Sequence, residues 1–91
     1  ASSCMISFPP MVEIYTKNYC PYCIKAKTLL KSLNIAFEEH DITNTPEKVQ
    51  ELSEKSGFLT VPQIFVGDQC LGGYTDIEKL HQEGKLIELC K

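Results

Sequence analysis

The period of the apolar positions changes several times along the chain, and each change marks an element boundary. Val12-Glu13-Ile14-Tyr15-Thr16 alternates and is rich in β-formers, which predicts a first strand. From Tyr22 to about Ser32 the apolar positions Ile24, Ala26, Leu29 and Leu30, with Leu33 beyond, recur mostly at helical spacing. Pro21 suits the first turn of that helix, where a missing N–H costs nothing, and Asn34 is a stop signal. Residues 35–41 read as a second strand. Thr45 before Pro46 marks a second helix to about Ser56, closed by Gly57. Residues 61–66 form a third strand, Gly67-Asp68 a two-residue hairpin turn, and residues 69–71 a fourth strand. After Gly72-Gly73, Thr75 is expected to cap a third helix running to about Glu83. Gly84 breaks it, and residues 86–90 form a last short helix.

The order is β-α-β-α-β-β-α with a short α after it. Its first part predicts a parallel strand pair joined by a helix, and its last hairpin is antiparallel. The expected architecture is α/β: a four-stranded mixed sheet with helices on both faces. Residues 11–91 form that one domain, and residues 1–10 read as an N-terminal arm or an expression remnant.

Composition narrows the function classes. The chain has 91 residues and a net charge of −3, unevenly spread. Residues 1–35 carry four lysines against Glu13, whereas the remainder carries five lysines against eleven acids. With no arginine and no dense basic cluster, nucleic-acid binding is not expected. The positive front favours a small anionic substrate. No apolar run approaches the ~18–20 residues of a membrane span, and residues 1–10 lack the charged and apolar regions of a signal peptide. Five cysteines, an odd number, argue against a fully paired secreted framework and for a reducing, cytoplasmic setting.

Cys20-Pro21-Tyr22-Cys23 carries the candidate chemistry. By spacing alone it is weak: five cysteines in 91 residues produce such a pair in roughly one of four shuffled sequences. Its place is informative. At a strand–loop–helix junction the first sulfur lies beside unpaired helix N–H groups and the positive end of the helix dipole, which favour the nucleophilic thiolate. Cys23 lies one turn on, within reach of the first sulfur, and Lys17 offers a nearby positive charge. That arrangement suits a reversible dithiol–disulfide couple. A zinc site would need further ligands, but Cys4, Cys70, Cys90, His40 and His81 show no ligand spacing, so no metal is expected.

Other features have two readings each. Pro62 opens the third strand, and sequence alone favours a trans Val61–Pro62 bond; a cis bond would let Val61 offer its backbone to an extended ligand. Gly72-Gly73-Tyr74-Thr75-Asp76 reads either as a turn with a cap or as an anion site of exposed N–H groups. Cys70 reads as a buried filler, and Cys4 and Cys90 as incidental thiols. Tyr15, Phe37, Phe58 and Phe65 read as core or near-core residues, and His40 and His81 show no partner.

Together, Lys17 with Cys20-Pro21-Tyr22-Cys23, then Thr60-Val61-Pro62-Gln63, then Gly72-Gly73-Tyr74-Thr75-Asp76 resemble a dithiol glutaredoxin of the compact bacterial type, over about residues 12–89. The resemblance implies a thioredoxin-like fold, a cis Pro62, and glutathione as reductant and partner. It implies Cys20 as nucleophile and Cys23 as resolving thiol. It also implies a glutathione site of Lys17, Tyr22, Thr60, Val61, Pro62, Gly73, Tyr74, Thr75 and Asp76, with Val61 pairing main chain to the cysteinyl part and the 73–76 stretch taking the γ-glutamyl end. Two positions depart from the pattern. Leu59 stands where many relatives carry a basic residue, and Tyr74 where relatives often have Cys or Ser.

The expected activity is reduction of protein disulfides and glutathione mixed disulfides by a monomer with no bound cofactor. Two other functions share the fold: a thioredoxin-like reductase that does not use glutathione, and a carrier of a glutathione-ligated [2Fe–2S] cluster, which Pro21 disfavours.

Overall fold

The computed structural model describes residues 12–57 and 59–90, so Cys4, Met5, Met11 and Phe58 lie outside the described residues. The elements run β1 (Val12–Thr16), α1 (Pro21–Ser32), β2 (Phe37–Asp41), α2 (Pro46–Ser56), β3 (Gln63–Val66), β4 (Gln69–Gly72), α3 (Tyr74–Glu83) and α4 (Leu86–Leu89). The sheet order is β2-β1-β3-β4. β1 pairs parallel with β2 and antiparallel with β3, and β3–β4 is the antiparallel hairpin. This is the mixed four-stranded sheet that the periodicity predicts.

Alternation along the strands assigns the two faces. Val12, Ile14, Ile64, Val66 and Leu71 point to one face, where Ala26 and Leu30 of α1, Ile77 of α3 and Leu86 of α4 complete a fully apolar cluster. Tyr15 and Phe65 point to the other, against Ile42, which follows β2, and Leu52 of α2, with Cys70 packed at its edge. Burying each of these large aliphatic side chains contributes about 1.5–3 kcal/mol of transfer free energy. The first cluster is the larger and anchors α1, whose N-terminus carries the dithiol.

Chain breaks fall where the sequence places them. Gly57 and Gly84 end α2 and α3 in the left-handed region, at φ 82° and 76°, and Asn34 follows α1 at φ 59°. Three expectations shift. β2 begins at Phe37 and β3 at Gln63, so Val61 and Pro62 lie outside the ladder. α3 starts at Tyr74 with Gly73 as its N-cap, so Thr75 is not the cap. The Asp76 carboxylate takes that work by accepting the Gly73 N–H at 3.0 Å, leaving the Thr75 side chain free to face outward. His40 does have partners: it meets Glu13 at 3.1 Å and stacks on Tyr15 with centroids 4.9 Å apart.

Candidate active site

Cys20 ends the β1–α1 loop and is the N-cap of α1, with Pro21 in the first turn. Its side chain makes no capping hydrogen bond, and the first turn holds no acidic residue. The helix N–H groups and dipole at that end are therefore not neutralised by a nearby carboxylate of the same turn. Cys20 is half-buried, whereas Cys23 is only 2% exposed. Burial pushes the Cys23 thiol up to about 11; a hydrogen bond from the Lys17 backbone amide opposes this, and the hydrogen bond with Cys20 adds to it. The two thiols are thus neighbours of opposite character: one open at a helix start, one enclosed and held protonated.

A residue 41 positions away completes the approach. The Cys20 Sγ lies 3.6 Å from the Val61 carbonyl oxygen. The Val61–Pro62 bond is cis, as the resemblance implies and against the expectation from local sequence alone. The loop ahead of it is tied down by Gln63, 2% exposed, whose Nε2 donates to the Thr60 carbonyl at 2.8 Å. Its Oε1 accepts from Ser56 Oγ at 3.0 Å, which links the loop to the end of α2. Gln63, expected only as a residue of the third strand, thus fixes the loop ahead of Pro62 through its buried amide.

The third segment closes the opposite side. Gly72 has φ +97°, and a Cβ there would run into the Asp76 carboxylate. A Cβ on Gly73 would stand 3.2 Å from the Pro62 carbonyl oxygen. Both glycines therefore allow a close backbone approach. The result is a cleft of about 190 Å³ lined by Tyr22, Thr60, Val61, Pro62, Gly73, Tyr74 and Thr75. A neighbouring hollow of about 140 Å³ shares Thr60, Pro62, Gly73 and Thr75 and adds Gln63 and Asp76. Tyr22 and Tyr74 form one lip, with ring centroids 6.2 Å apart, and the Tyr74 hydroxyl donates to Glu78 at 2.9 Å. That bond to a carboxylate pushes the Tyr74 phenol up from its ordinary range.

The structure brings together eight of the nine positions expected to bind the small thiol; Lys17 is the one that does not line the cleft. Its ammonium points at the Tyr19 ring, 5.9 Å from the centroid, while its backbone carbonyl accepts the Cys20 N–H at 3.3 Å. Leu59 is 67% exposed on the chain leading into the cleft.

Residues 12–71 match the glutaredoxin family. The chain belongs to the glutaredoxin family. It is 46% identical over 80 residues to glutaredoxin 3 of Escherichia coli K12, covering 88% of this chain and 96% of that protein. The same identity over 80 residues relates it to a glutaredoxin of Pseudomonas aeruginosa, covering 88% of this chain and 95% of that one. Among solved structures, the glutaredoxin of Brucella melitensis superimposes with a TM-score of 0.81 at 46% identity, covering 91% of this chain and 90% of that one. A buckwheat glutaredoxin–glutathione complex superimposes with a TM-score of 0.84 at 25% identity, covering 89% and 76%. Glutaredoxins are glutathione-dependent thiol–disulfide oxidoreductases with a thioredoxin fold, and that is the fold and the chemistry of this chain. Among the described residues no helix is long and apolar enough to cross a membrane.

Proposed function

We propose that Cys20 is the attacking sulfur and Cys23 the resolving one, and that the cleft beside them holds glutathione. The observation that carries this reading is the asymmetry of the pair: Cys20 stands half-buried at the helix start with no acidic residue in the first turn, while Cys23 is enclosed with its thiol pushed up to about 11. An attacking sulfur needs access and a setting that favours negative charge; a resolving sulfur needs to reach the first and to give up its proton as it attacks.

For a glutathione mixed disulfide, the Cys20 thiolate attacks the glutathionyl sulfur. A Cys20–glutathione disulfide forms, and the electron pair of the broken S–S bond leaves with the protein thiolate. A second glutathione thiolate then attacks the bound glutathionyl sulfur, giving oxidised glutathione and restoring Cys20. For a protein disulfide, Cys20 attacks one sulfur and the other leaves as thiolate. The Cys23 thiol then gives its proton to the thiolate already released and displaces the remaining protein thiolate, so the Cys20–Cys23 disulfide carries the two electron equivalents of oxidation until two glutathiones remove them. No metal or bound organic cofactor enters either cycle.

In this reading Val61 offers its backbone to the cysteinyl part, and the 73–76 stretch receives the γ-glutamyl carboxylate at the first-turn N–H groups of Tyr74 and Thr75, with the α3 dipole behind them. Thr60, Pro62, Tyr22 and Tyr74 shape the walls. Lys17 acts on the dithiol through its backbone and on glutathione only through long-range charge. The protein works as a monomer in a reducing cytoplasm on disulfide-bearing or glutathionylated proteins. The test is glutathione-coupled reduction of a mixed disulfide by wild type and Cys20→Ser: loss in the variant is expected, and full activity there would end the proposal.

A further inference from the structure

Beyond the cleft, α1 carries a second concave surface. Lys25, Thr28, Leu29 and Ser32 are spaced by three and four residues and so share one helix face. With Tyr74 of α3 they line a shallow groove of about 400 Å³. Tyr74 lines both this groove and the cleft, and Tyr22, three residues before Lys25, stands at the common lip. The two hollows therefore meet at Tyr74.

The groove also has a definite charge character. No Asp or Glu occurs between residues 14 and 37. Lys25 enters none of the ion pairs among the described residues; its ammonium lies 5.4 Å above the Tyr22 ring. The Glu78 carboxylate accepts the Tyr74 hydroxyl and keeps its charge, but it does not line the groove, whose one charged lining residue is Lys25. An apolar floor of Leu29 and Tyr74 beside an unpaired cation complements a segment with one acidic and one apolar residue.

We propose that this groove seats the protein half of a mixed disulfide, as an extended segment flanking the substrate cysteine, while the cleft holds the glutathione half. The proposal rests on the reading of Cys20 as the attacking sulfur, and it adds no redox step: the S–S bond that breaks still releases its electron pair to the departing protein thiolate. The helix rise puts Lys25 about 7.5 Å and Leu29 about 13.5 Å along α1 from Cys20. An extended strand advances about 3.3 Å per residue, so the acidic residue belongs about two positions and the apolar one about four positions from the substrate cysteine.

The test uses synthetic peptides glutathionylated at a single cysteine. One pair carries Asp two and Leu four residues from the cysteine, on the N-terminal side in one peptide and on the C-terminal side in the other; a matching pair carries Lys and Ser at those places. The mixed disulfide of glutathione with 2-mercaptoethanol serves as a substrate with no flanking segment. Wild type is expected to favour one Asp/Leu peptide over its Lys/Ser counterpart by about fivefold in kcat/KM at low salt, with the preference shrinking at high salt. Lys25→Glu should invert that preference, and Thr28→Tyr, which fills the groove at an exposed position, should slow both peptides. Both variants should turn over the small mixed disulfide within about twofold of wild type, which also shows that they are folded. A wild type indifferent to the flanks, or a Lys25→Glu effect equal on peptides and small substrate, overturns the groove. Full activity of Cys20→Ser on the small mixed disulfide would instead overturn the underlying assignment of Cys20.

Discussion

The two corners that meet at the cleft are built differently. The β1–α1 corner carries its chemistry in side chains: two thiols, one half-buried and one enclosed, at the start of a helix that is packed by Ala26 and Leu30 into the larger core. The corner formed by residues 59–62 and 72–76 contributes mostly backbone: the Val61 carbonyl, the Gly73 N–H and two glycines that permit close approach. The proposed function puts reactivity in one corner and recognition in the other. The lesson is that substitutions should separate them. Side-chain changes in the first should abolish chemistry without unfolding the chain, and Cβ additions in the second should cost stability and binding.

The largest effect expected is on chemistry. Cys20→Ser should reduce both deglutathionylation and protein-disulfide reduction to background. Cys23→Ser should keep deglutathionylation and lose protein-disulfide reduction, because only the second reaction needs a resolving thiol. Steady-state rates with a glutathionylated peptide and with a disulfide protein check this. If Cys23→Ser lost both reactions equally, the proposed difference between the two sulfurs would be gone.

Next comes the backbone corner. Gly72→Ala puts a Cβ at φ +97° and against the Asp76 carboxylate, so a loss of about 2 kcal/mol is expected in denaturant unfolding. Asp76→Ala should cost about 1 kcal/mol through the lost cap on Gly73. The two changes should be less than additive, since removing Asp76 also removes the group Gly72→Ala would strike. Strict additivity would show that the 72–76 turn is not one unit.

A smaller effect exposes the enclosed Cys23 thiol through pH. In the folded chain Cys23 is held at about 11, above its ordinary value near 9.0. The folded state therefore binds more protons between those values, so this contribution to stability is complete below about pH 9 and is lost as pH rises towards 11. Melting temperatures from pH 8 to 11 should fall less steeply in Cys23→Ala than in wild type; parallel slopes would contradict the enclosed thiol.

The smallest effect lies on the rim of the first corner. Lys27 of α1 pairs with Glu39 of β2 at 2.7 Å, and Thr16 Oγ1 donates to the same carboxylate at 3.1 Å. The Lys27 ammonium, with help from Thr16, holds the Glu39 carboxyl below its usual range, so the pair contributes above that range and fades as pH falls through the lowered value. Both side chains are partly exposed, and Lys27→Met should cost no more than about 1 kcal/mol at pH 7, less in high salt. A larger loss that salt does not reduce would point to packing by the Lys27 stem instead.

Much of this molecule was legible in the sequence because the relevant signals are local. Alternation in Val12–Thr16, the helical spacing after Tyr22, and Gly57 and Gly84 as left-handed stops each depend on a few neighbouring residues. The position of Cys20 at a helix start is local too, and it gave the pair its chemical meaning. Less legible were the features set by partners far along the chain. Thr75 resembled a cap, but Asp76 reaches back to Gly73 and leaves Thr75 to the cleft. Lys17 was expected to act through its ammonium, yet its amide and carbonyl meet the dithiol while the ammonium turns to Tyr19.

The sequence by itself therefore determined the elements, their order and the sulfur pair at the head of α1, because periodicity, turn chemistry and capping act over one or two turns of chain. Only the tertiary structure decided what that pair faces. Antiparallel pairing of β1 with β3 carries Val61 to within 3.6 Å of Cys20 across 41 residues, and the same sheet brings Gly73 against Pro62. Those contacts are made by backbone groups, whose direction depends on strand register and peptide geometry rather than on residue type. The pair of cysteines was written locally; the cleft beside it was assembled by the sheet.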